Sequence, residues 1–436
     1  MPLTASLRSP LPLTVLARQV SSVQRAHVMD LIFLNNVVCE KGSPEYNGYN
    51  TKNARDQGQA IQPETTAVYL PLIDMVPSDP DTILTAMVET EKLTNKAGQQ
   101  YTIFTADQQL YKVVLNVIWN NPDRFKNFIP RLGGMHTLMN CVGSGGTLLA
   151  DSGLSELLQS AFGSVPKMLS GKLFPQNVRA LRILAEEMIR QSLETCDDTT
   201  PLLQSLETKA ASNLTSKLWL ENLIKPVLIM MLFVRAEREA DWPLHLYATK
   251  QMIPYFFAAG HVNYARYCLF YLRAMENLPS EVLEKFLKGQ HVMRHKPGLW
   301  NGIWSDMFIE STFMRYGHGP GGVIGVTLQP ATLKLWAYSL HICAQITGDI
   351  VAMTEGGKNR GIATIHKEVM PARITADRSK LREKLFTCID PFMGPVCDTD
   401  IVNILTGHIA HPSVNVDESV TIGTRQLQLF EQFWPE

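Results

Sequence analysis

No two of the seven cysteines, Cys39, Cys141, Cys196, Cys268, Cys343, Cys388 and Cys397, are spaced as C-x-x-C. That absence excludes a zinc ribbon or a dithiol redox motif, and an odd, scattered set reads as free thiols in a reduced compartment. Neither sign of charge dominates: 40 Lys plus Arg stand against 41 Asp plus Glu, a formal charge of -1. A chain-wide basic surplus, the mark of a dedicated nucleic-acid binder, is therefore missing, and any basic groove must be local. The longest unbroken apolar run, Val227 to Val234, has eight residues. A bilayer needs roughly 20, so no membrane span is expected and the chain reads as soluble, nuclear or cytoplasmic, and not secreted. There is no G-x-x-x-x-G-K-[ST] loop and no G-x-S-x-G elbow, which excludes a P-loop nucleotidase and the α/β-hydrolase nucleophile. The first 29 residues lack acids and hold three arginines, loosely the composition of a transit peptide, but Pro10 and Pro12 break the helix such a leader needs.

What is present is bulk. A chain of 436 residues with 45% apolar content can bury a core larger than one compact domain provides, so two or three coupled lobes are expected. Residues 1–62 mix Ser, Pro, Gly and Asn around one apolar helical piece near His27 to Val38, with 42–62 reading as linker. From 63 to 150 the pattern alternates. Thr66 to Asp74 is a strand candidate ending in an acid, and Pro80 to Lys96 is a helix opened by Asp79 and Asp81. Tyr101 to Asp107 is a second strand ending in an acid, followed by a helix from Gln108 to Trp119, a third strand candidate in Phe125 to Leu132, and a helix opening at Gly133-Gly-Met-His136. Strand and helix in alternation predict an α/β core with a largely parallel sheet, whose sites gather at the carboxyl ends of strands. The stretch 151–300 reads as a helical insertion, and 301–436 returns to mixed character, with helices near Asp306 to Arg315, Pro330 to Thr347 and Ala372 to Cys388. The whole is α/β and predominantly helical.

Chemistry is sparse and local. Asp306 and Glu310 lie four apart on one helix, neighbours on a partly apolar arc with Met307, Phe313 and Met314. Paired carboxylates in such surroundings suit a cation or a general acid and base. The plainer alternative is that Asp306 stabilises a helix N-terminus and Glu310 reaches to water. Gly317, Gly319 and Gly322 satisfy G-x-G-x-x-G formally, but they follow a helix, where the dinucleotide fingerprint must follow a strand, so a glycine-rich helix exit is expected. His291 and His295 have i, i+4 spacing without the intervening glutamate of a metalloprotease, and their neighbours Arg294 and Lys296 favour a surface or nucleic-acid-facing position. The run Arg235 to His245 is the densest in charge. It reads as a solvated helix end laced with ion pairs, or else as arginines and a tryptophan that meet phosphates and bases.

Read together, Thr105-Ala-Asp107-Gln-Gln-Leu-Tyr111, Arg131-Leu-Gly-Gly-Met-His136 and Ser305-Asp306-Met-Phe-Ile-Glu310-Ser-Thr-Phe-Met-Arg315 resemble a family of uncharacterised proteins encoded with mobile elements in metazoan genomes. The resemblance runs from about Thr65 to Trp434. The segment Asp107 to His136 is also similar to the second-aspartate region of Mutator-like transposases, and a long helical stretch before a last acid is similar to hAT-type transposases. Both have RNase H-like folds. The resemblance implies an RNase H-like α/β core interrupted by a large all-α insertion, and a transposon-derived protein, descended from a metal-dependent DNA transposase, that is active, inactive or repurposed. Asp74, Asp107 and Glu310 would then hold two Mg²⁺ or Mn²⁺ ions roughly 4 Å apart for phosphodiester cleavage and strand transfer. Asp306 competes for the third position, His136 is auxiliary, DNA is the implied partner, and a homo-oligomer is compatible. The alternative, from another class, is a non-catalytic helical protein-interaction module whose acids cap helices and pair with arginines.

Overall fold

A computed structural model describes residues 13–38, 45–68, 70, 73, 75–193, 202–318, 329–353, 371–392, 400–412 and 414–433. Among them the chain is predominantly helical, with one two-stranded sheet. No described helix is long and apolar enough to cross a membrane. The fold divides into two discontinuous units. One comprises Met1–Gln59, His136–His291 and Pro371–Glu436, and the other Ala60–Met135 and Val292–Met370.

The second unit holds the sheet. Strand β1, Thr102–Ala106, is rich in β-branched and aromatic residues, and it pairs in parallel with β2, Phe128–Leu132, in the register Thr102 to Phe128 through Ala106 to Leu132. The helix Gln108–Asn120 makes the crossover that parallel pairing requires. Beneath it runs the helix Pro80–Lys96, which begins with proline at its first position and with the Asp79 carboxylate accepting the Asp81 amide. Ile83 and Met87 from that helix, Val114 and Val117 from the crossover, and Phe125 and Phe128 close one apolar cluster. Proline at position 130 is tolerated because, among the described residues, β2 bonds to β1 alone and its other edge needs no donor.

The first unit is a helical assembly around Trp242–Ala258, a helix apolar on most of its circumference and buried accordingly. Lys225–Glu239, Val262–Glu276, Val416–Phe433 and the N-terminal helix Leu13–Val38 pack on it. Val416–Phe433 approaches so closely that a Cβ on Gly423 would lie 2.0 Å from the Pro254 carbonyl oxygen, so only glycine allows this contact.

Two expectations differ from what is found, and one helix arises where none was expected. The described residues of 66–74 form no strand. The stretch 42–62, expected as linker, contains the helix Tyr46–Asp56, whose Tyr46, Tyr49, Asn50 and Ala54 are buried, because its polar residues have buried polar partners. The tail, which carries few local signals, forms the helix Val416–Phe433, and burial against Trp242–Ala258 offsets its weak propensity.

Candidate functional site

In the second unit, both parallel strands end where two helices begin. The Ala106 carbonyl accepts the Gly133 amide at 2.8 Å, carrying the ladder one residue past β2. Asp107 follows β1 and caps the crossover helix, its carboxylate accepting the Leu110 amide at 2.9 Å. After β2, Gly133-Gly134 leads into the helix Gly134–Leu148. The turn Trp304-Ser305-Asp306 closes on this junction. Ser305 donates to the Thr105 hydroxyl at 3.2 Å, and one Asp306 oxygen accepts the Met135 amide at 3.2 Å. A helix N-terminus carries partial positive charge and unpaired donors, so a carboxylate placed there is stabilised.

The two glycines are explained by that approach. A Cβ on Gly133 would sit 2.5 Å from the other Asp306 oxygen, and one on Gly134 would sit 2.0 Å from Cδ1 of the Trp304 indole. The Leu-Gly-Gly-Met-His motif is thus a seat for Trp304 and Asp306.

The other candidates fall as follows. Glu310 is exposed and opens a π-helical turn, Glu310–Met314, one turn beyond the buried Asp306. Behind it, His295 stacks on Phe308 with ring centroids 4.5 Å apart and planes at 14°, and its Nε2 lies 2.9 Å from the Ser311 hydroxyl. His136 is half-buried, in the first turn of Gly134–Leu148, where the first unit resumes. Asp74 lies outside the described residues, as do Gly319 and Gly322 of the glycine cluster, while Gly317 closes the short helix Arg315–His318. Among the described residues no three His, Cys, Asp or Glu side chains are grouped to hold a metal ion. Asp107 and Asp306 each commit an oxygen to a backbone amide. Trp304 and Thr105 complete the junction. Neither stands out in the sequence, since a tryptophan reads as core and a strand threonine as filler.

Two histidine and arginine readings are corrected in the first unit. His291 is 2% exposed and faces Trp242 at 5.0 Å and Phe286 at 5.9 Å, so it belongs to the core and not to a basic surface. The run Arg235 to His245 is no solvated helix end. Arg235 is 0% exposed and donates to Asp30 at 2.5 Å, to Asn50 at 2.9 Å and to Glu239 at 2.7 Å, while Tyr46 donates to the same Asp30 oxygen at 2.8 Å. His245 joins Glu237 at 2.5 Å to the Tyr271 hydroxyl at 2.8 Å, stacked on Trp242. The reason is the pair of N-terminal helices, which cover the arginine and supply its counter-charge from far away in sequence.

A second charged cluster joins the helices Phe174–Leu193 and Pro371–Phe386. Glu187 is fully buried and meets Arg190 at 2.9 Å, Arg378 at 2.9 Å and Arg382 at 2.8 Å. Burial pushes its carboxyl up, but the arginine hydrogen bonds together outweigh this and hold it below the usual glutamate range.

The chain matches the family described as "Domain of unknown function (DUF8702)" over residues 45–212 and 198–433, most of its length, and it belongs to that family. No curated protein and no solved structure matches it.

Proposed function

We propose, with membership of a family of unknown function as the premise, that this chain is a non-catalytic helical interaction module. The observation that carries the reading is the use made of the two described acids at the strand ends: Asp107 and Asp306 each hold a backbone amide that opens a helix. A carboxylate already serving as a cap is accounted for without substrate. The surface through which the module would act is the helix Pro330–Met353. Leu335 (70% exposed), Tyr338 (49%), Ile342 (52%) and Ile346 (52%) recur on it at three- and four-residue intervals, one apolar stripe turned to solvent. Lys334 is the sole formal charge between Pro330 and Ile346, so two copies of the stripe, laid antiparallel, bring only one lysine each to opposite ends of a long apolar face, and the proposed occupant is a second copy of the chain.

Sedimentation of the full chain tests this. Wild type is expected as a dimer at micromolar concentration and Ile342→Glu as a monomer with unchanged circular dichroism; a monomeric wild type removes the reading.

A second reading keeps the transposon-derived ancestry and metal-dependent phosphodiester chemistry on DNA in an RNase H-like core. It is favoured by one observation, that the Ser305-Asp306 turn meets Thr105, two residues before Asp107, at the carboxyl ends of parallel strands, where sites of α/β folds gather. Asp74, Asp107 and Glu310, with Asp306 as substitute and His136 as auxiliary, are its residues and Mg²⁺ or Mn²⁺ its cofactor. Melting the wild type and Asp107→Asn in a Mn²⁺ series separates the two: only the metal-dependent reading expects a saturable rise confined to wild type.

A further inference from the structure

The ion pairs that join the helices Phe174–Leu193 and Pro371–Phe386, both in the first unit, are matched at one end and short of negative charge at the other. At the matched end Arg182 meets Glu45 at 3.1 Å and Glu186 at 2.6 Å, while Arg378 meets Glu186 at 2.6 Å and Glu187 at 2.9 Å. At the other end Arg179 reaches a single carboxylate among the described residues, Asp377, at 3.3 Å. Arg373 stands four residues before Asp377, on the same face of its helix, and is exposed. It forms no ion pair with any described residue. Two arginines from different helices thus lie about one aspartate.

Arg179 is the more constrained of the two. Its side chain is 11% exposed, and its guanidinium lies over the Phe162 ring with Cζ 5.5 Å from the centroid. Its Nε is shut off from water and has no hydrogen-bonding partner. An arginine stacked on an aromatic face keeps its in-plane donors directed at acceptors beside the ring, and a buried donor without an acceptor is destabilising. Burial, with repulsion from Arg373 and Arg182, holds the Arg179 guanidinium below the ordinary arginine value, although Asp377 opposes them. Asp377 is itself buried, so one carboxylate serves where two cations gather.

We propose that this end of the cluster is a binding site for a phosphate group, held between Arg179 and Arg373 and carried by inorganic phosphate or by a small phosphate monoester. Guanidinium donors form forks that match phosphate oxygens, and a phosphate can take forks from two helices at once, where the oxygen pair of a carboxylate is filled by one. A cation is repelled here, and a neutral ligand would leave the excess positive charge unopposed. Entry is from the Arg373 side, whose exposure admits a dissolved ligand without breaking the ion pairs behind it.

The test is thermal melting of the full chain in millimolar phosphate, against chloride at equal ionic strength. Wild type is expected to show a saturable rise in melting temperature, distinct from the non-saturating effect of concentrated phosphate on any protein. Arg373→Gln removes an exposed charge that has no partner, so it should melt at or above wild type without phosphate. Its apparent dissociation constant for phosphate should rise about tenfold or more, the loss of one charge-assisted hydrogen bond. Lys380→Gln, which removes an exposed cation two turns further along the same helix, should leave the response unchanged. Glycerol 2-phosphate separates the sources: a response at lower concentration than phosphate assigns the site to monoesters, and a weaker one assigns it to the free ion. Acetate should give no rise. No saturable rise with either phosphate, an equal rise with acetate, or a phosphate response unchanged in Arg373→Gln would overturn the assignment.

Discussion

Asp306 and Met135, 171 residues apart in the chain, meet in one hydrogen bond, the aspartate carboxylate accepting the methionine amide at 3.2 Å. The bond satisfies a donor at the start of Gly134–Leu148 and ties the turn before Glu310 to the end of β2. Asp306→Ala is expected to lower the unfolding free energy by about 1–2 kcal/mol, while Asp306→Asn, still an acceptor, loses less. Urea unfolding measures both, and an alanine variant as stable as wild type would show that the cap is ornamental.

Gly134 and Trp304 test the same junction by volume. Gly134→Ala puts a methyl 2.0 Å from the indole and is expected to destabilise by about 1–3 kcal/mol. Trp304→Ala opens a cavity and costs about 3–5 kcal/mol. Because one change fills what the other vacates, the double variant should be more stable than the sum of the single losses implies. Strict additivity in the four-membered cycle would contradict direct contact.

Arg235 holds the N-terminal helices to the bundle through Asp30. Arg235→Met strands a buried carboxylate and should destabilise by about 3–5 kcal/mol, with Asp30→Asn recovering part of the loss. The pH dependence has a definite sign. Burial raises the Asp30 carboxyl above its ordinary value, and Arg235 only partly opposes this. An acid raised on folding favours the fold below its unfolded pKa, near 3.9, and that contribution is lost as pH rises through the folded value. Without the arginine the loss deepens, so Arg235→Met should fall further behind wild type in melts between about pH 4 and 7 as pH rises.

Glu187 has the opposite sign. Its folded pKa is depressed, so its stabilisation is present above the unfolded value, near 4.3, and disappears as pH falls through the folded one. Glu187→Gln should therefore be less stable than wild type at about pH 6, and the gap should close toward about pH 3. A gap independent of pH would mean that the arginines act on the side chain's shape and not on its charge.

Elements whose signals lie within a few residues are legible in the sequence. Pro80–Lys96 begins and ends where proline and aspartate signals put it, and β1 and β2 follow from runs of β-branched and aromatic residues. The pair Asp306 and Glu310 is legible as neighbours on a helix, but which of them is buried is not. Asp306 is drawn in by an amide 171 residues away, while Glu310, one turn on, stays exposed to water.

Capping and propensity act over one helical turn, so the amino-acid sequence alone determined where most helices and both strands start and stop, whereas Leu214 to Arg238 reads as one unbroken helix and its π-helical turn at Leu220–Ile224 shows only in the structure. Burial depends on what arrives from elsewhere. Arg235 has the sequence surroundings of a surface arginine and is fully enclosed, because Asp30 and Asn50 come to it across 205 and 185 residues. Only the tertiary structure decided that, and with it which of the many charges are structural and which remain available.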